Sequence, residues 1–187
     1  KIIENYCFLK LNKIILLNKF DFKSVSSFFL KKKELLKTCG LGCDLELFNK
    51  NNYSEKYILQ LKSKYNIENH FVLGYIGRFV NFKGFHIAIR TFKKLSQTEK
   101  VKLVLIGGYD LIHDSGLSFE EKKEILDNKN FINIGFAHNV YDYLAIIDLL
   151  VFPTKKEGLP IVATESIAMG VPVICFDSRG SNELIVN

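Results

Sequence analysis

The chain has 187 residues, of which 48% are hydrophobic and 25% charged, and its formal net charge is +6 at pH 7. A chain of this size and balance is typical of a globular domain that buries a core. The absence of any low-complexity tract excludes a disordered linker, and no apolar run reaches the roughly 18 residues that a membrane-spanning helix needs. The four cysteines lack CxxC spacing, which predicts reduced core thiols of a cytosolic protein rather than a zinc site or disulfides.

The positive charge lies in the first third of the chain. Residues 1–66 contain 13 Lys and 6 acidic residues, a net charge of +7, whereas residues 67–187 carry a net charge of −1. Such a region could contact nucleic acid or an anionic membrane surface. The simpler interpretation is a set of solvated lysines, because no arginine precedes Arg78 and the lysines are scattered apart from the run at residues 31–33.

The first 66 residues predict few regular elements. We expect a strand at residues 13–17, a helix at residues 22–33, a polar turn at residues 49–52 and a helix at residues 53–65. A soft domain boundary is expected near residue 20. The sequence starts at Lys1 rather than at Met, and residues 2–17 resemble neither a signal peptide nor a mitochondrial presequence. We therefore expect a piece of a longer protein.

From residue 71 onward, short apolar segments alternate with amphipathic ones. The predicted strands are residues 71–76, 101–106, 131–134, 149–152 and 171–175. Their near-continuous apolarity indicates that both faces of the strands are covered. Between the strands, Ile87, Ala88, Phe92 and Leu95 share one face of a predicted helix. This alternation predicts an α/β fold: a Rossmann-like parallel sheet with helices on both faces, whose ligands bind beyond the carboxyl ends of the strands.

The first loop that follows one of these strands, residues 77–84, carries two glycines and two cations. Gly77 and Gly84 allow tight turns, while Arg78 and Lys83 place a guanidinium and an ammonium beside the start of a helix. This arrangement suits a diphosphate, because charge-assisted hydrogen bonds are strong and the helix dipole adds positive potential. The alternative is a surface turn with solvated charges.

Two further loops add a glycine pair and two carboxylates. Gly107 and Gly108 end a strand, where they permit close approach to a ligand or simply a tight turn. The loop at residues 154–160 precedes a helix, with Glu157 just before the first turn and Glu165 about a turn and a half inside. Carboxylates can hold adjacent sugar hydroxyls. Charge compensation at the helix start for Glu157 and a salt bridge for Glu165 are the simpler alternatives.

These loops occur in the order of the motifs of a known family. The motifs are Gly77-Arg78 with Lys83-Gly84, Leu105-Ile106-Gly107-Gly108, Asn133-Ile134-Gly135-Phe136, residues 147–154, Glu157-Gly158-Leu159-Pro160, and residues 165–174. In this order, residues 71–184 resemble the nucleotide-sugar-binding C-terminal domain of GT-B glycosyltransferases, specifically the retaining GT4 family (glycosyl transferases group 1). Residues 42–48 resemble the turn by which the chain enters this domain.

The resemblance implies a role for each matching residue. Arg78 and Lys83 would neutralise the donor diphosphate as it leaves, and Glu157 would hold hydroxyls of the transferred sugar, so these three are the catalytic candidates. Glu165 would bind the ribose hydroxyls, and the nucleobase would lie against residues 135–137. The donor-binding candidates besides Glu165 are Gly77, Gly107, Gly135, Phe136, Ala137, Gly158, Leu159, Pro160 and Ile161.

The resemblance also implies a domain organisation and partners. Residues 1–20 would be a remnant of the N-terminal acceptor domain or an interdomain segment, and residues 21–187 the donor-binding domain, truncated at its C-terminus. The intact enzyme would transfer a hexose, with retention, from a nucleoside diphosphate sugar to a glycan or lipid-linked acceptor held by the missing N-terminal domain. The expected setting is bacterial surface or capsular polysaccharide synthesis, and this piece by itself is expected to be inactive. We expect no metal or cofactor, no nucleic acid, and a cytoplasmic location, with peripheral contact to an anionic inner membrane surface as a further hypothesis.

Two alternatives stay open. A GT-B-fold sugar-nucleotide 2-epimerase would share the architecture, and it would need His and acidic residues set for acid–base chemistry. A non-catalytic nucleic-acid-binding module would use the basic first third of the chain. Asp148 is interpreted as a structural residue at a strand edge. The histidines are interpreted as surface or packing residues without partners for a catalytic triad: His70, His86, His113 and His138.

Overall fold

The computed structural model describes residues 6–8, 10–26, 34–37 and 41–184. In chain order, the described strands and helices are β1 (Lys13–Leu16), α1 (Lys19–Ser26), β2 (Glu34–Lys37), α2 (Glu55–Lys64), β3 (Phe71–Ile76), α3 (Phe85–Leu95), β4 (Val101–Ile106), α4 (Phe119–Asp127), β5 (Phe131–Gly135), α5 (Val140–Leu144), β6 (Leu149–Phe152), α6 (Ile161–Ala168) and β7 (Val173–Cys175). Short 3₁₀ turns lie at Lys50–Asn52, Asn81–Lys83 and Ser181–Glu183. The end of the helix expected at residues 22–33, with its lysine run, and Cys39 lie outside the described residues.

The central sheet confirms the predicted parallel α/β fold. Its five strands are all parallel and follow the order β5-β4-β3-β6-β7. The strands β3, β4 and β6 have the predicted bounds, and β5 runs one residue further than expected. The last strand, β7, begins at Val173 rather than at residue 171, because Pro172 lacks the N–H group that a strand ladder needs.

Apolar residues alternate between the two faces of this sheet. In β3, Val72 and Ile76 belong to a buried cluster that residues of α2, α5 and α6 complete. Leu73 and Tyr75 point the other way, into a cluster with α3 and α4. The prediction of helices on both faces is thus confirmed, and burial of both clusters is the main stabilising contribution to this part of the chain.

Helix α3 buries a face rotated from the predicted one. Of the four residues predicted to share an apolar face, Ala88 and Phe92 are buried, whereas Ile87 is half-buried and Leu95 is 40% exposed. The buried residues of the helix are Phe85, Ala88, Ile89 and Phe92. The first of these sets the phase of the helix, because the ring of Phe85 stacks on that of Phe79 with centroids 4.3 Å apart.

A two-stranded parallel sheet precedes the central one. Strand β1 pairs with β2 from Lys13 opposite Glu34 to Leu16 opposite Lys37, and α1 lies between them in the chain. The strand expected at residues 13–17 is confirmed, whereas β2 was not expected. The boundary expected near residue 20 falls inside α1, within this βαβ unit, and the division of the chain into domains stays a prediction.

Two further expectations meet the structure here. None of the described helices is long and apolar enough to cross a membrane. The described cysteines are free thiols; Cys43 and Cys175 are half-buried, and Cys7 is exposed, so the prediction of a core position is wrong for Cys7.

Candidate functional site

The order of the central sheet creates a crevice at the carboxyl ends of β3 and β6. The chain passes from β3 outward to β4 and β5, and then returns to the other side of β3 to form β6 and β7. At such a point the loops leaving the two neighbouring strands turn to opposite faces, and α/β sheets bind their ligands between them. The loop after β3 carries Arg78 and Lys83, and the loop after β6 carries Glu157.

Lys83 and Glu157 meet across this crevice. The Lys83 Nζ atom lies 2.5 Å from Glu157 Oε1, and the buried Thr154 donates its hydroxyl to the same oxygen at 3.0 Å. Glu157 Oε2 has no partner in the described part of the chain. The crevice thus holds a cation and an unused carboxylate oxygen side by side, which is what a phosphate and a sugar hydroxyl on one ligand would need.

The two loops also touch through their backbones. The Lys155 N–H group donates to the Phe82 carbonyl oxygen at 3.1 Å. Gly84 has a φ of +73°, and a Cβ atom there would lie 2.0 Å from the Pro153 carbonyl oxygen. Glycine is therefore required at position 84 for the loops to approach, and this approach brings Lys83 to Glu157.

Three glycines with positive φ lie side by side at the ends of β3, β4 and β5. The Gly77 N–H donates to the Ile106 carbonyl oxygen at 2.9 Å, and the Gly107 N–H donates to that of Gly135 at 2.8 Å. A Cβ atom at Gly77 or Gly135 would meet nothing within 4 Å, whereas one at Gly107 would lie 2.0 Å from the Gly77 carbonyl oxygen. Gly77 and Gly135 therefore leave space that a ligand could occupy, while Gly107 allows the neighbouring loops to pack.

Arg78 makes its described contacts away from the Lys83–Glu157 pair. Its Nη1 atom lies 2.8 Å from Asp110 Oδ2, and its guanidinium lies over the Phe82 ring, 5.2 Å from the centroid. The side chain is 54% exposed, so several of its five N–H donors remain open to a ligand. A diphosphate in the crevice could therefore bind Arg78 without breaking the contact with Asp110.

Asp110 is the fixed partner of Arg78, and the sequence analysis did not identify it. Its Oδ1 atom accepts hydrogen bonds from the backbone N–H groups of Ile112 and His113, at 2.8 and 3.3 Å, and its Oδ2 lies 3.1 Å from His113 Nδ1. The Ile112 N–H, together with His113 and Arg78, lowers the pKa of Asp110 to about 2, so the carboxylate stays charged at neutral pH. The side chain of His113 is 48% exposed, in agreement with the surface position expected for it.

The buried Tyr75 contacts the backbone of the loop at residues 77–84 through its hydroxyl. The Tyr75 hydroxyl donates to the Arg78 carbonyl oxygen at 3.0 Å and lies 3.4 Å from that of Lys83. Burial, together with the charge of Glu157, raises the pKa of Tyr75, so the hydroxyl keeps its proton and remains a donor. This role was missed because Tyr75 belongs to an apolar strand and looks like a packing residue.

Glu165 lies on α6 with half of its surface buried. Its carboxylate has no hydrogen bond or ion pair in the described part of the chain, and burial raises its pKa. Burial is the main cause that raises the pKa of the Cys43 thiol, and the negative charge of Glu165 adds to it, so this thiol lies near the Glu165 carboxylate. A half-buried carboxylate without a partner is unfavourable for folding and is typical of a binding site. The alternative of a structural salt bridge finds no support among these residues.

We expect Glu165→Gln to stabilise the fold at neutral pH. The raised pKa means that the folded protein disfavours the ionised carboxyl, a penalty that disappears as the pH falls below the ordinary value of 4.5. The variant should be more stable than the parent by about 0.5 kcal/mol at pH 7, a small value because solvent screens a half-exposed charge. Thermal unfolding from pH 7 to 3 should show this difference shrinking toward zero below pH 4.5, with Glu99→Gln, at an exposed position, as the control.

The remaining donor-binding candidates surround the same edge of the sheet. After β5, the Phe136 ring is 80% exposed and meets the His138 ring edge-on with centroids 5.0 Å apart, and Ala137 is half-buried. After Glu157, residues 158 and 159 are half-buried. Pro160 is buried and precedes α6, so Ile161 is the first helical residue. The first N–H groups of a helix lack partners within it and are free to meet a ligand.

Asp148 directly precedes β6. The Asp148 carboxylate accepts a hydrogen bond from the Val72 N–H group at 2.8 Å and thereby fixes the start of β3, in agreement with the structural role expected for it.

Among the described residues, no three His, Cys, Asp or Glu side chains are grouped so that they could hold a metal ion. The expectation that no metal takes part stays a prediction.

The known proteins with similar sequences include bacterial glycosyltransferases. The capsular polysaccharide biosynthesis glycosyltransferase CapM of Staphylococcus aureus is 31% identical over 131 residues, 68% of this chain and 34% of CapM. An Escherichia coli UDP-Gal:α-D-GlcNAc-diphosphoundecaprenol α-1,3-galactosyltransferase is 28% identical over 153 residues, 78% of this chain and 38% of that protein. This chain therefore spans about a third of the length of these relatives.

Solved structures share the fold. Anabaena Alr3699/HepE, solved in complex with UDP and glucose, matches with a TM-score of 0.73 and 19% identity over 94% of this chain and 47% of that one. Together with the parallel sheet, this likeness confirms the predicted half of a GT-B fold. The sequence model of the family described as "Glycosyl transferases group 1" matches residues 32–187. Because this match covers most of the chain, the chain belongs to the glycosyl transferases group 1 family.

Proposed function

We propose that this chain is the donor-binding part of a bacterial glycosyltransferase that transfers a hexose from a nucleoside diphosphate sugar to a glycan or lipid-linked acceptor. The observation that carries the proposal is the meeting of Lys83 and Glu157 at the point where the strand order reverses, with Arg78 on the same loop. Cations for a diphosphate and a carboxylate for sugar hydroxyls thereby lie in one crevice. Family membership favours transfer over the epimerase alternative.

The names of the relatives support this proposal. HepE was solved with UDP and glucose, CapM takes part in capsular polysaccharide biosynthesis, and the Escherichia coli relative is named for a UDP-sugar donor and a diphosphoundecaprenol acceptor. We extend to this chain a UDP-type donor and a place in surface polysaccharide synthesis. Since the chain spans about a third of these two transferases, we assign most of the acceptor site and full activity to a protein that includes further sequence.

In the proposed reaction, the bond between the anomeric carbon and the diphosphate oxygen breaks, and the acceptor oxygen forms the new bond with retention. The diphosphate keeps the electron pair, and the proton of the acceptor hydroxyl is released. Lys83 and Arg78 stabilise the charge that grows on the diphosphate, which lowers the barrier in the way of preorganised cations in other active sites. Glu157 orients the sugar through its hydroxyls, and Glu165 holds the ribose. Because Arg78 and Lys83 neutralise the diphosphate in this proposal, UDP binding should persist in EDTA.

A nucleotide panel tests the donor proposal. UDP, GDP, ADP and CDP are compared by thermal shift with the four matching monophosphates and with uridine, at concentrations up to several millimolar. A ligand at 100 times its Kd adds about 2.7 kcal/mol of stability, which for a chain of this size raises Tm by about 5–10 °C. We expect one diphosphate to give this shift and the matching monophosphate to give much less. If no nucleotide shifts Tm, or if mono- and diphosphate are equivalent, the proposal fails.

We further propose a cytoplasmic location with loose attachment to anionic lipid through the first third of the chain, where residues 1–66 carry a net charge of +7. Electrostatic attraction of this kind weakens with salt and depends on the anionic lipid fraction. Pelleting with phosphatidylglycerol vesicles should therefore exceed pelleting with phosphatidylcholine vesicles and should fall at high salt. Equal pelleting with both kinds of vesicle would contradict the attachment.

A further inference from the structure

A polar cavity of about 330 Å³ lies next to the crevice, between the start of α1 and the turn after β7. Two contacts hold these segments together. The buried Asn18 donates its side-chain amide to the Gly158 carbonyl oxygen at 2.8 Å, and Arg179 Nη2 lies 2.5 Å from Asp21 Oδ2. The βαβ unit that precedes the central sheet therefore rests directly on the loop that follows Glu157, and the cavity is formed where the two meet.

The cavity is adjacent to the position proposed for the donor sugar. The Glu157 N–H group donates to the Arg179 carbonyl oxygen at 3.0 Å. Gly180 is packed so closely that a Cβ atom would lie 2.6 Å from the Glu157 carbonyl oxygen and 2.9 Å from that of Gly158. One turn of chain thus contacts the sugar-binding loop on one side and lines the cavity on the other.

The chemistry of the lining suits a neutral, hydroxyl-rich ring. Phe20 is 60% exposed and presents an aromatic face, with the Arg179 guanidinium 5.5 Å from the ring centroid. The side chains of Asp177 and Asn182 are exposed and have no hydrogen bond or ion pair in the described part of the chain. A sugar ring offers an apolar C–H face to an aromatic ring and hydroxyls to carboxylate and amide groups.

The charges of the lining residues and the volume of the cavity limit the kinds of ligand that the cavity can hold. Opposite charges pair in this lining, Arg179 with Asp21 and Glu183 with Lys37. Lys19 and Asp177 add one charge of each sign, so the cavity has no net positive charge to attract a phosphate or another anion. The volume lies near the lower end of the range for small-molecule sites, about 300–1,000 Å³. This volume suits one sugar ring better than an extended oligosaccharide.

We propose that this cavity binds the terminal sugar of the glycan acceptor. The inference rests on the proposed function, because an acceptor site needs a donor beside it. Transfer requires the acceptor hydroxyl to come within about 3–3.5 Å of the reacting carbon. The turn at residues 179–180 contacts the sugar-binding loop and lines the cavity, so the two sites lie side by side. In this arrangement Phe20 supports the ring, while Asp177 and Asn182 select its orientation through the hydroxyls.

Saturation-transfer-difference NMR on this chain tests the inference, with UDP and three methyl glycosides as probes: those of glucose, galactose and N-acetylglucosamine. We expect at least one glycoside to bind in the presence of UDP, and its Kd to rise at least fivefold in Phe20→Ala and in Asp177→Asn. Phe119→Ala and Asp127→Asn change an exposed Phe and an exposed Asp of α4 and should leave the glycoside Kd within twofold. UDP affinity should be the same in all four variants.

The outcomes separate this inference from the function on which it rests. If UDP binds but no glycoside does, or if glycoside binding persists unchanged in both cavity variants, the acceptor-sugar site is overturned and the donor site stands. If UDP itself does not bind, the proposed function fails and this inference falls with it. Thermal unfolding without ligand verifies that each variant is folded, and Asp177→Asn provides the test should Phe20→Ala lose its fold.

Discussion

Lys83→Ala is expected to weaken UDP binding by about 100-fold. The substitution removes a charge-assisted hydrogen bond to the diphosphate, worth about 1.5–3 kcal/mol, which corresponds to a factor of about 10–150. It also leaves the half-buried Glu157 without its cation, so that a bare carboxylate faces the phosphates. Both effects act in the same direction, and isothermal titration calorimetry measures their sum.

A matched control and a second variant separate the site from a general loss of positive charge. Lys93 forms an ion pair with Glu124 on the surface between α3 and α4, and Lys93→Ala should change UDP affinity by less than twofold. Adding Glu157→Gln to Lys83→Ala removes the uncompensated carboxylate and should recover part of the lost UDP affinity. A loss below threefold for Lys83→Ala, or equal losses for both lysines, would exclude Lys83 as a diphosphate ligand.

Gly107→Ala is expected to be strongly destabilising, as is Gly84→Ala, whose Cβ would also lie 2.0 Å from a backbone carbonyl oxygen. Gly107 has a φ of +134°, and the new Cβ would lie 2.0 Å from the Gly77 carbonyl oxygen, a backbone atom that moves only if the loops separate. Backbone strain contributes about 1–3 kcal/mol, and the clash brings the total to about 4 kcal/mol or more, in the range of severe core defects. For a chain of this length, Tm should fall by about 10 °C.

Gly170→Ala is the matched control for this prediction. Gly170 also has a positive φ, +70°, but a Cβ atom there would meet nothing within 4 Å. The cost of that substitution should be limited to the left-handed backbone, about 1 kcal/mol, or about 3 °C in Tm. Similar shifts for the two variants would mean that the loops after β3 and β4 are not packed as closely as the structure has them.

The sequence predicted most of the sheet because its strands are short apolar runs between turn residues, and local composition is sufficient to find such segments. Two of the three loops with candidate residues also proved to face each other, since parallel strands place their carboxyl ends at one edge. Strand β2 was missed, because four residues with a lysine and a glutamate at the ends have no strand pattern without their partner β1.

The supporting residues of the site could not be predicted, because their roles depend on contacts between loops that are distant in sequence. Asp110 fixes Arg78 only because the loop after β4 folds against the loop after β3, through the bond from the Phe79 N–H to the Gly108 carbonyl oxygen. The Asp110-x-x-His113 spacing is a local turn signal that could have drawn attention to this pair. Gly107 packs closely against the Gly77 carbonyl oxygen, which the sequence did not predict, and its contact with the donor stays a prediction.

Amide chemical-shift mapping with UDP tests the central claim most directly, because it reports where the nucleotide binds as well as whether it binds. The glycines are convenient probes, since their amide resonances fall in a separate region of the ¹⁵N spectrum and they occur in each loop of the crevice. We expect the largest shifts at Gly77, Gly84, Gly135 and Gly158, with Gly116 and Gly170 unchanged. Saturable shifts centred on Gly116 or Gly170, or the absence of shifts at millimolar UDP, would contradict a donor site between β3 and β6.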